Sequence, residues 1–407
     1  KYPLLATAAM QFSARAYPAL VPADGNVVKT KIVRANPDDQ LYQAAMRVSD
    51  HMSFQLMERI PNWEEDMDKL LMIISITGIA FKKTYHSAVD SCHRSDLVLA
   101  DKLCINYHAK NVDQAYRVTE ILEYNNNEIE ERFRNDEEFL EFDLCTATVP
   151  NDKDGRISIV EATPPPPDKS TPHVFLSCHT YWDLDEDGYE EPYIITIHKD
   201  TKKVVRIVAR FDPTGVKYNS DDEIVKINPV SYFTEFPFIP NPDGSLYALG
   251  FGILLGPLNE SVNTLINQLV DAGTLNNLQA GFIGKGLRVR MGKTTFQPGE
   301  WKEVNATGDD ISKQVFALPT KEPSAVLFNL INLLLTSGNQ LASIAEIFVG
   351  KMPGQNTPAT TTQETVQQSM AVFTAIYKRI YRSLDREYKK LYRLNKIYPE
   401  SMFEEAR

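Results

Sequence analysis

Residues 350–378 read GKMPGQNTPATTTQETVQQSMAVFTAIYK, a loop rich in glycine and proline that leads directly into an amphipathic helix. The loop residues that interrupt regular structure are Gly350, Pro353, Gly354 and Pro358. Thr361 followed by Glu364 predicts a capping box at the start of the helix, and apolar residues then recur by threes and fours until Pro399. A helix over 361–398 would be roughly 57 Å long, which indicates a supporting element of a larger assembly.

Further blocks with the same kind of specificity are dispersed along the chain. They are QFSARAYPALVP at 11–22, LCINYHAKNVDQAYRVTEILEYNNNEI at 103–129, and 279–323 with its PGEW and LPTKEPS segments. Together with KMPGQN, PATTTQE and FTAIYKRIYRSLDREYKKLYRLN within 350–395, these blocks resemble, in the same order, the portal (head-to-tail connector) proteins of tailed bacteriophages, of the short-tailed type.

The resemblance implies an α+β, portal-like fold with a wing, a two-helix stem, a small α/β clip, and a long helix after a tunnel loop. The expected regions are a wing at 1–256 (helical over 1–142, β-rich over 143–250), stem helices at 257–280 and 321–349, a clip at 281–320, a tunnel loop at 350–362, and a long wing helix at 363–407 leading to a missing C-terminal crown or barrel.

The resemblance also implies a function. Copies of the chain, a dodecamer by resemblance, would form a ring at one capsid vertex through which double-stranded DNA passes without sequence specificity. The expected partners are terminase, capsid and scaffolding proteins and tail adaptor proteins, with no membrane and no cofactor. The expected location is the portal vertex of the virion, and the host cytoplasm during assembly. The alternatives are another oligomeric phage ring protein, such as a head–tail adaptor, and a nucleotide-dependent packaging enzyme.

The charge balance limits how the chain would hold DNA. It has 43 basic and 54 acidic residues, a formal net charge of −11. A protein that holds DNA statically gains affinity by releasing phosphate counterions and therefore carries a basic face. The acidic balance argues against tight, broad DNA binding, but it is compatible with a channel through which DNA must slide.

Hydrophobic periodicity divides the first 250 residues. Helical spacing predicts helices over 38–57, 63–81 and 111–140, the last divided in two by 125–127. From 143 onwards the period shifts towards two, and the β-rich runs are 193–198 and 203–210. Four scattered cysteines are too few for a disulfide scaffold, so we expect reduced thiols and assembly in a cytoplasm.

A helix–β–helix order follows. We expect Pro257 to open the first helix and Pro323 the second, with short β segments at 287–289, 301–304 and 315–318 between them. The first helix carries a polar row that would face a neighbouring subunit or the lumen: Asn259, Asn263, Asn267 and Asp271. This is the order that the stem and clip of the resembled family require.

By resemblance, the candidate DNA-channel residues are Lys351, Gln355, Asn356 and Thr357, and the candidate partner-docking residues of the clip are Arg288, Arg290 and Lys293. A second basic group lies at 378–396, where eight basic and two acidic residues give a net charge of +6. Three interpretations are open for these side chains: they dock on acidic surfaces of a neighbouring subunit, they contact DNA phosphates, or they form a solvated helix face.

Three short motifs suggest small ligands but depart from the patterns those ligands require. GLRVRMGKT at 286–294 has one residue too many for a Walker A loop and no helix signal after it. DLDEDGYEE aligns Asp183, Asp185 and Asp187 like the start of an EF-hand loop, a weak calcium candidate whose twelfth position is Ile194 instead of Glu. The adjacent pairs Cys92–His93 and Cys178–His179 lack zinc-motif spacing. We expect no metal, no catalytic centre and no enzymatic activity.

Overall fold

The computed structural model describes residues 1–22, 24–32, 39–87, 90–136, 139–142, 171–218, 224–277, 281–283, 315–317, 325–341 and 359–398. Over these residues the chain mixes helices and strands, in agreement with the predicted α+β class.

The helices are α1 (Leu4–Leu20), α2 (Asp39–Phe54), α3 (Trp63–Thr77), α4 (Asn126–Asn135), α5 (Phe251–Asn277), α6 (Ala325–Leu341) and α7 (Ala359–Ile397). The agreement with the predicted helices is best for α2, α3 and α7. Helix α7 has 39 residues and is therefore about 58 Å long. It begins two residues before Thr361, so the predicted start at that residue is wrong.

The strands form antiparallel sheets. They are β1 (Ile79–Ser87), β2 (Cys92–Val98), β3 (Leu103–Ile105), β4 (Val118–Tyr124), β5 (His173–Trp182), β6 (Glu191–His198), β7 (Val204–Ala209), β8 (Val216–Tyr218), β9 (Ile224–Ile227), β10 (Phe233–Pro237), β11 (Gly281–Ile283) and β12 (Val315–Ala317). The described sheets have the strand orders β10-β1-β2, β3-β4-β5-β6-β7, β8-β9 and β11-β12.

The prediction of a helical segment over 1–142 is wrong between Ile79 and Tyr124, where β1 to β4 lie. Gly78 ends α3 in the left-handed conformation, with φ at +95°, and its N–H donates to the carbonyl of Ile74. A side chain is excluded there, since a Cβ on Gly78 would lie 2.1 Å from the carbonyl oxygen of Ala248. The apolar run that reads as one helix in the sequence is therefore a helix, a glycine cap and a buried strand.

Strand β4 corrects the predicted helix over 111–140. Its sequence VTEILEY satisfies helical spacing as well as alternation, but the strand pairs with β3 on one side and β5 on the other. Cross-strand pairing decides such an ambiguous segment, and local pattern does not. The helix resumes only at α4, where Asn125 and Glu128 form a capping box.

The long helix α7 packs on the three-stranded sheet. Phe81 of β1 and Phe236 of β10 are fully buried, as is Trp63 at the start of α3. Helix α7 packs against β1 and β10, and α1 adds Phe12, whose ring meets that of Phe238 edge-on at 4.9 Å. Each such buried aromatic side chain contributes on the order of 2 kcal/mol.

The five-stranded sheet has a core of its own. Ile129 of α4 is buried against Phe139, Phe175 and Val205. The predicted strands over 193–198 and 203–210 are confirmed as β6 and β7.

The chain divides into two compact units, one of residues 7–254 with 350–407 and one of residues 1–6 with 255–349. In the second unit, the backbone N–H of Tyr2 donates to Oδ1 of Asn263 at 2.6 Å. Leu4 packs on the buried Gly338 of α6, where a Cβ would lie 2.8 Å from Leu4 Cδ2. At least one residue of the predicted polar row, Asn263, therefore accepts a hydrogen bond from the N-terminal segment of the same chain.

Helix α5 begins six residues before Pro257, so the predicted helix start is wrong. The earlier turn forms because Phe251 is buried and packs edge-on against Phe238, with ring centroids 5.1 Å apart. Beyond α5, strands β11 and β12 pair antiparallel, which confirms a strand in the predicted segment 315–318. The other two predicted β segments, 287–289 and 301–304, lie outside the described residues.

Candidate functional site: the seam of the long helix

Helix α7 presents a buried apolar stripe and, beside it, a row of charged groups that contact the same chain. The buried apolar residues are Ile376, Ile380, Leu384 and Leu391, at helical intervals. We call the polar groups that join α7 to the rest of the chain the helix seam; they are Arg379, Arg386, Glu387, Lys390 and Arg393 with their partners.

The centre of the helix seam is a buried ion pair. The side chain of Lys82 on β1 is 0% exposed and that of Glu387 is 1% exposed, and Lys82 Nζ lies 3.0 Å from Glu387 Oε1. The same oxygen accepts hydrogen bonds from Trp63 Nε1–H at 3.0 Å and from Ser95 Oγ–H at 2.6 Å. Lys82 Nζ also lies 4.8 Å from the centre of the Trp63 ring, a cation–π distance. One carboxylate thus joins α7 to α3, β1 and β2.

Arginine and lysine side chains extend the helix seam along β10. Arg386 donates to Glu235 Oε1 at 2.9 Å and to the carbonyl of the same residue at 3.3 Å. Lys390 donates to the carbonyl of Phe233 and lies 3.5 Å from Asp113. Burial lowers the pKa of the Lys390 ammonium, and the Asp113 carboxylate opposes that shift.

The remaining contacts of the helix seam lie at its two ends. Arg379 donates to the carbonyl of Phe238 at 3.0 Å. Arg393 holds Asp212 through both Nε and a terminal nitrogen, with Nε at 2.9 Å. Both nitrogens donate to one oxygen, Asp212 Oδ2, so the contact is a charge-assisted hydrogen bond with two donors. The helix is therefore held in place from Arg379 to Arg393.

These contacts answer part of the question posed by the basic segment 378–396. Four of its basic residues bind groups of the same chain that lie outside α7: Arg379, Arg386, Lys390 and Arg393. The other four are exposed to solvent: Lys378, Arg382, Lys389 and Lys396. The predicted solvated helix face fits the four exposed residues. The predictions did not include contacts of the other four residues within the same chain.

Two of the sequence blocks that carry the family resemblance pack against each other. In the block at 11–22, Phe12 lies 6.1 Å from the ring of Tyr377, and the carbonyl of Ala19 accepts a hydrogen bond from the Tyr381 hydroxyl. Burial raises the pKa of the Tyr377 hydroxyl, and the charge of Arg15 opposes that shift. Segments about 360 positions apart therefore form one surface.

The candidate residues of the tunnel loop and clip lie outside the described residues. They are Lys351, Gln355, Asn356 and Thr357 in the loop and Arg288, Arg290 and Lys293 in the clip. Their roles stay predictions.

The acidic loop is described, and its carboxylates converge. Oxygens of Asp183, Asp185 and Asp187 lie within 4.8 Å of one another. The N–H of Gly188 donates to Asp183 at 2.9 Å, and the N–H of Tyr189 donates to Asp187 at 2.7 Å, which closes a turn. The carboxylates therefore serve the turn itself, and the acidic cluster alone does not identify a calcium site.

The adjacent Cys–His pairs do not assemble a metal site within the described part of the chain, where the groups able to hold an ion are the acidic loop and a cluster of His173, His198 and Asp200. Sequence reasoning missed that cluster, because its histidines come from different strands.

His179, from the predicted pair Cys178–His179, is buried and packs edge-on against the rings of Tyr232 and Phe233.

Across the described residues, the chain has no helix with the length and apolar character that crossing a membrane requires. No protein-family model matches the chain, and no curated protein matches it.

Proposed function

We propose that this protein is a portal protein of a tailed bacteriophage, a structural protein and not an enzyme. Copies of it form a ring at one vertex of the virion, assembled in the host cytoplasm, with a channel for double-stranded DNA. The ring also serves as a docking platform for terminase, capsid and scaffolding proteins, and tail adaptors. The proposal rests on the ordered sequence blocks, and the structure adds three supporting observations.

The observation that carries self-assembly is the apolar surface of α6. This 17-residue helix has one buried residue, Gly338. Its exposed apolar side chains are Val326 (70%), Phe328 (53%), Leu330 (39%), Leu333 (62%) and Leu341 (53%). Val326, Leu330, Leu333 and Leu341 lie on one side of the helix at helical spacing, and Phe328 lies on the opposite side. An exposed apolar face of this kind is unfavourable in water and marks an interface. Copies of the same chain, packed around a closed ring, would cover it.

The arrangement around α6 supports the same proposal. Helix α5 leads to β11, and β12 precedes α6; the two strands pair antiparallel. The pairing places the strand that follows α5 beside the strand that precedes α6. This is the arrangement expected for two stem helices that flank a small clip.

The helix seam supports the assignment of α7 to a rigid part of the wing. A helix of 39 residues fastened by a buried ion pair and by several charge-assisted hydrogen bonds is a stiff element. We assign the loop that precedes it, with Lys351, Gln355, Asn356 and Thr357, to weak contacts with DNA phosphates. We assign Arg288, Arg290 and Lys293 to partner docking in the clip.

Negative-stain microscopy and mass photometry of the purified chain test the proposal. We expect annular particles with a central opening, and no release of phosphate from ATP. The double variant V326E/L333E places charges on the exposed face of α6 and should shift the protein to monomers. A matched control is V225E on β9, where Val225 is 60% exposed, and it should leave the rings intact. A compact monomer at every concentration, or equal loss of rings in V225E, would overturn the proposal.

A further inference from the structure

The hairpin of β5 and β6 brings two buried histidines and a carboxylate together. In its antiparallel register Phe175 pairs with His198, and Lys199 N–H donates to the Val174 carbonyl at 2.9 Å. His173 is thus a diagonal neighbour of His198 on the same face of the sheet. Asp200 follows in the turn.

The distances suit a tetrahedral metal. Nδ1 of His173 lies 3.3 Å from Nε2 of His198. Two nitrogens bound at 2.0–2.1 Å to one tetrahedral zinc ion are about 3.4 Å apart, so the imidazoles need little movement to share an ion. Ligand atoms of both histidines and of Asp200 lie within 4.8 Å of one another.

Both imidazoles are buried. His173 is 3% exposed and His198 is 0% exposed. An ion held between them would be shielded from bulk water on the side of the sheet, and metal binding requires each imidazole to offer a lone pair.

A neighbouring hydroxyl orients His198. Its Nδ1 lies 2.8 Å from Thr201 Oγ1. The backbone N–H of Thr201 approaches the same nitrogen, at 3.3 Å, and donates to it when Nδ1 carries no proton. Metal binding at Nε2 selects the other tautomer, in which Nδ1–H donates to the hydroxyl and the lone pair of Nε2 faces His173; a donating outer nitrogen is characteristic of metal-bound histidines. The rings of Phe142 and Phe175, centred 5.0 Å and 4.9 Å from that of His198, restrict its rotation.

We propose that His173, His198 and Asp200 form a binding site for zinc or another first-row divalent transition metal. Two nitrogens and one oxygen are the donor set such ions accept, and a water molecule would complete the tetrahedron. The ion would clip β5 to β6 at the end of the hairpin. This site is independent of the proposed ring function.

Cobalt(II) is the probe of choice, because tetrahedral cobalt(II) absorbs strongly in the visible range. The full chain is stripped with a chelator, titrated with Co²⁺ and then with Zn²⁺, and the bound metal is counted by elemental analysis. We expect one equivalent per chain at micromolar concentrations, a tetrahedral spectrum, displacement by Zn²⁺ and no displacement by Ca²⁺. H173Q, H198Q and D200N should each abolish that spectrum, and T201V should weaken binding about tenfold.

Two variants are matched controls: H108Q at an exposed histidine and D185N in the acidic loop. Both should bind cobalt as the unmodified chain does. Circular dichroism of each variant establishes that it is folded, and D200N tests the site on a partly exposed residue if a histidine variant fails to fold. Binding of less than one equivalent, or equal loss of the spectrum in H108Q or D185N, would show that the site does not exist.

Discussion

Replacing Glu387 by Gln tests the importance of the helix seam. The amide oxygen of glutamine still accepts from Trp63 and Ser95, so the main loss is the negative charge beside the Lys82 ammonium. That ammonium is 0% exposed. Removing one partner of a buried ion pair costs about 3–5 kcal/mol, because the other charge stays buried and uncompensated. This is a large fraction of the roughly 5–15 kcal/mol that stabilises a typical protein.

Hydrogen exchange measured by mass spectrometry reports this loss locally, even in an assembled ring. A cost of about 3 kcal/mol corresponds to roughly a hundredfold faster opening of the α7 amides around residues 384–391. The exposed pair Lys389–Asp385, with side chains 73% and 61% exposed, provides the comparison. K389M should change exchange by about twofold, as expected for a surface pair on a helix.

The double variant K82M/E387Q separates charge burial from packing. Removal of both charges should restore most of the protection, since no uncompensated charge remains. If E387Q exchanges less than about threefold faster than the unmodified chain, or if the double variant is no better than E387Q, the buried pair does not hold the helix as argued.

Three further predictions concern other parts of the chain. Burial, and then the charge of Lys83, hold the pKa of His179 well below its ordinary value, so on acidification the unfolded state binds the proton first. The contribution of this group to the free energy of unfolding should be full above about pH 6.5 and fall below it, by up to about 1.4 kcal/mol per pH unit. Urea unfolding should show a less steep fall in H179Q. G78A should cost about 3 kcal/mol or more, because its φ is +95° and its Cβ would lie 2.1 Å from the Ala248 oxygen; its unfolding midpoint measures this. In the proposed portal, K351E should change DNA retention in particles while rings still assemble, as judged by electron microscopy of packaged heads.

Each of these three has its own contrary result. The same acid-side slope in H179Q would assign the pH dependence to other groups. An unchanged midpoint in G78A would contradict the tight approach of α3 to Ala248. Loss of rings in K351E would show that the loop serves assembly instead of DNA contact.

The long helix was predictable from sequence because its signal is local and repeated over many turns. The same periodicity separates the two sets of basic residues. Lys378, Arg382, Lys389 and Lys396 follow one exposed stripe, and the seam residues lie next to the buried one. Their acidic partners were not predictable, since Glu235 is 151 positions from Arg386 and no local pattern joins them.

The errors in the first half of the chain have physical causes. Gly78 was the only local sign that α3 ends, within a run whose apolar residues continue into β1. Strand β4 carries residues that suit either structure, and only its neighbours decide. The cluster of His173 and His198 depends on the register of a hairpin, and a slip of one residue would place the histidines on opposite faces.

The fastening of α7 has a mechanical consequence. The described contacts hold the helix from Ile376 to Arg393, about 25 Å of its length. A rod held at points about 25 Å apart resists tilting, because a shift of about 2 Å at one of them turns it by only about 5°. Small rearrangements among Glu235, Asp113 and Asp212 would thus leave the direction of the helix nearly unchanged.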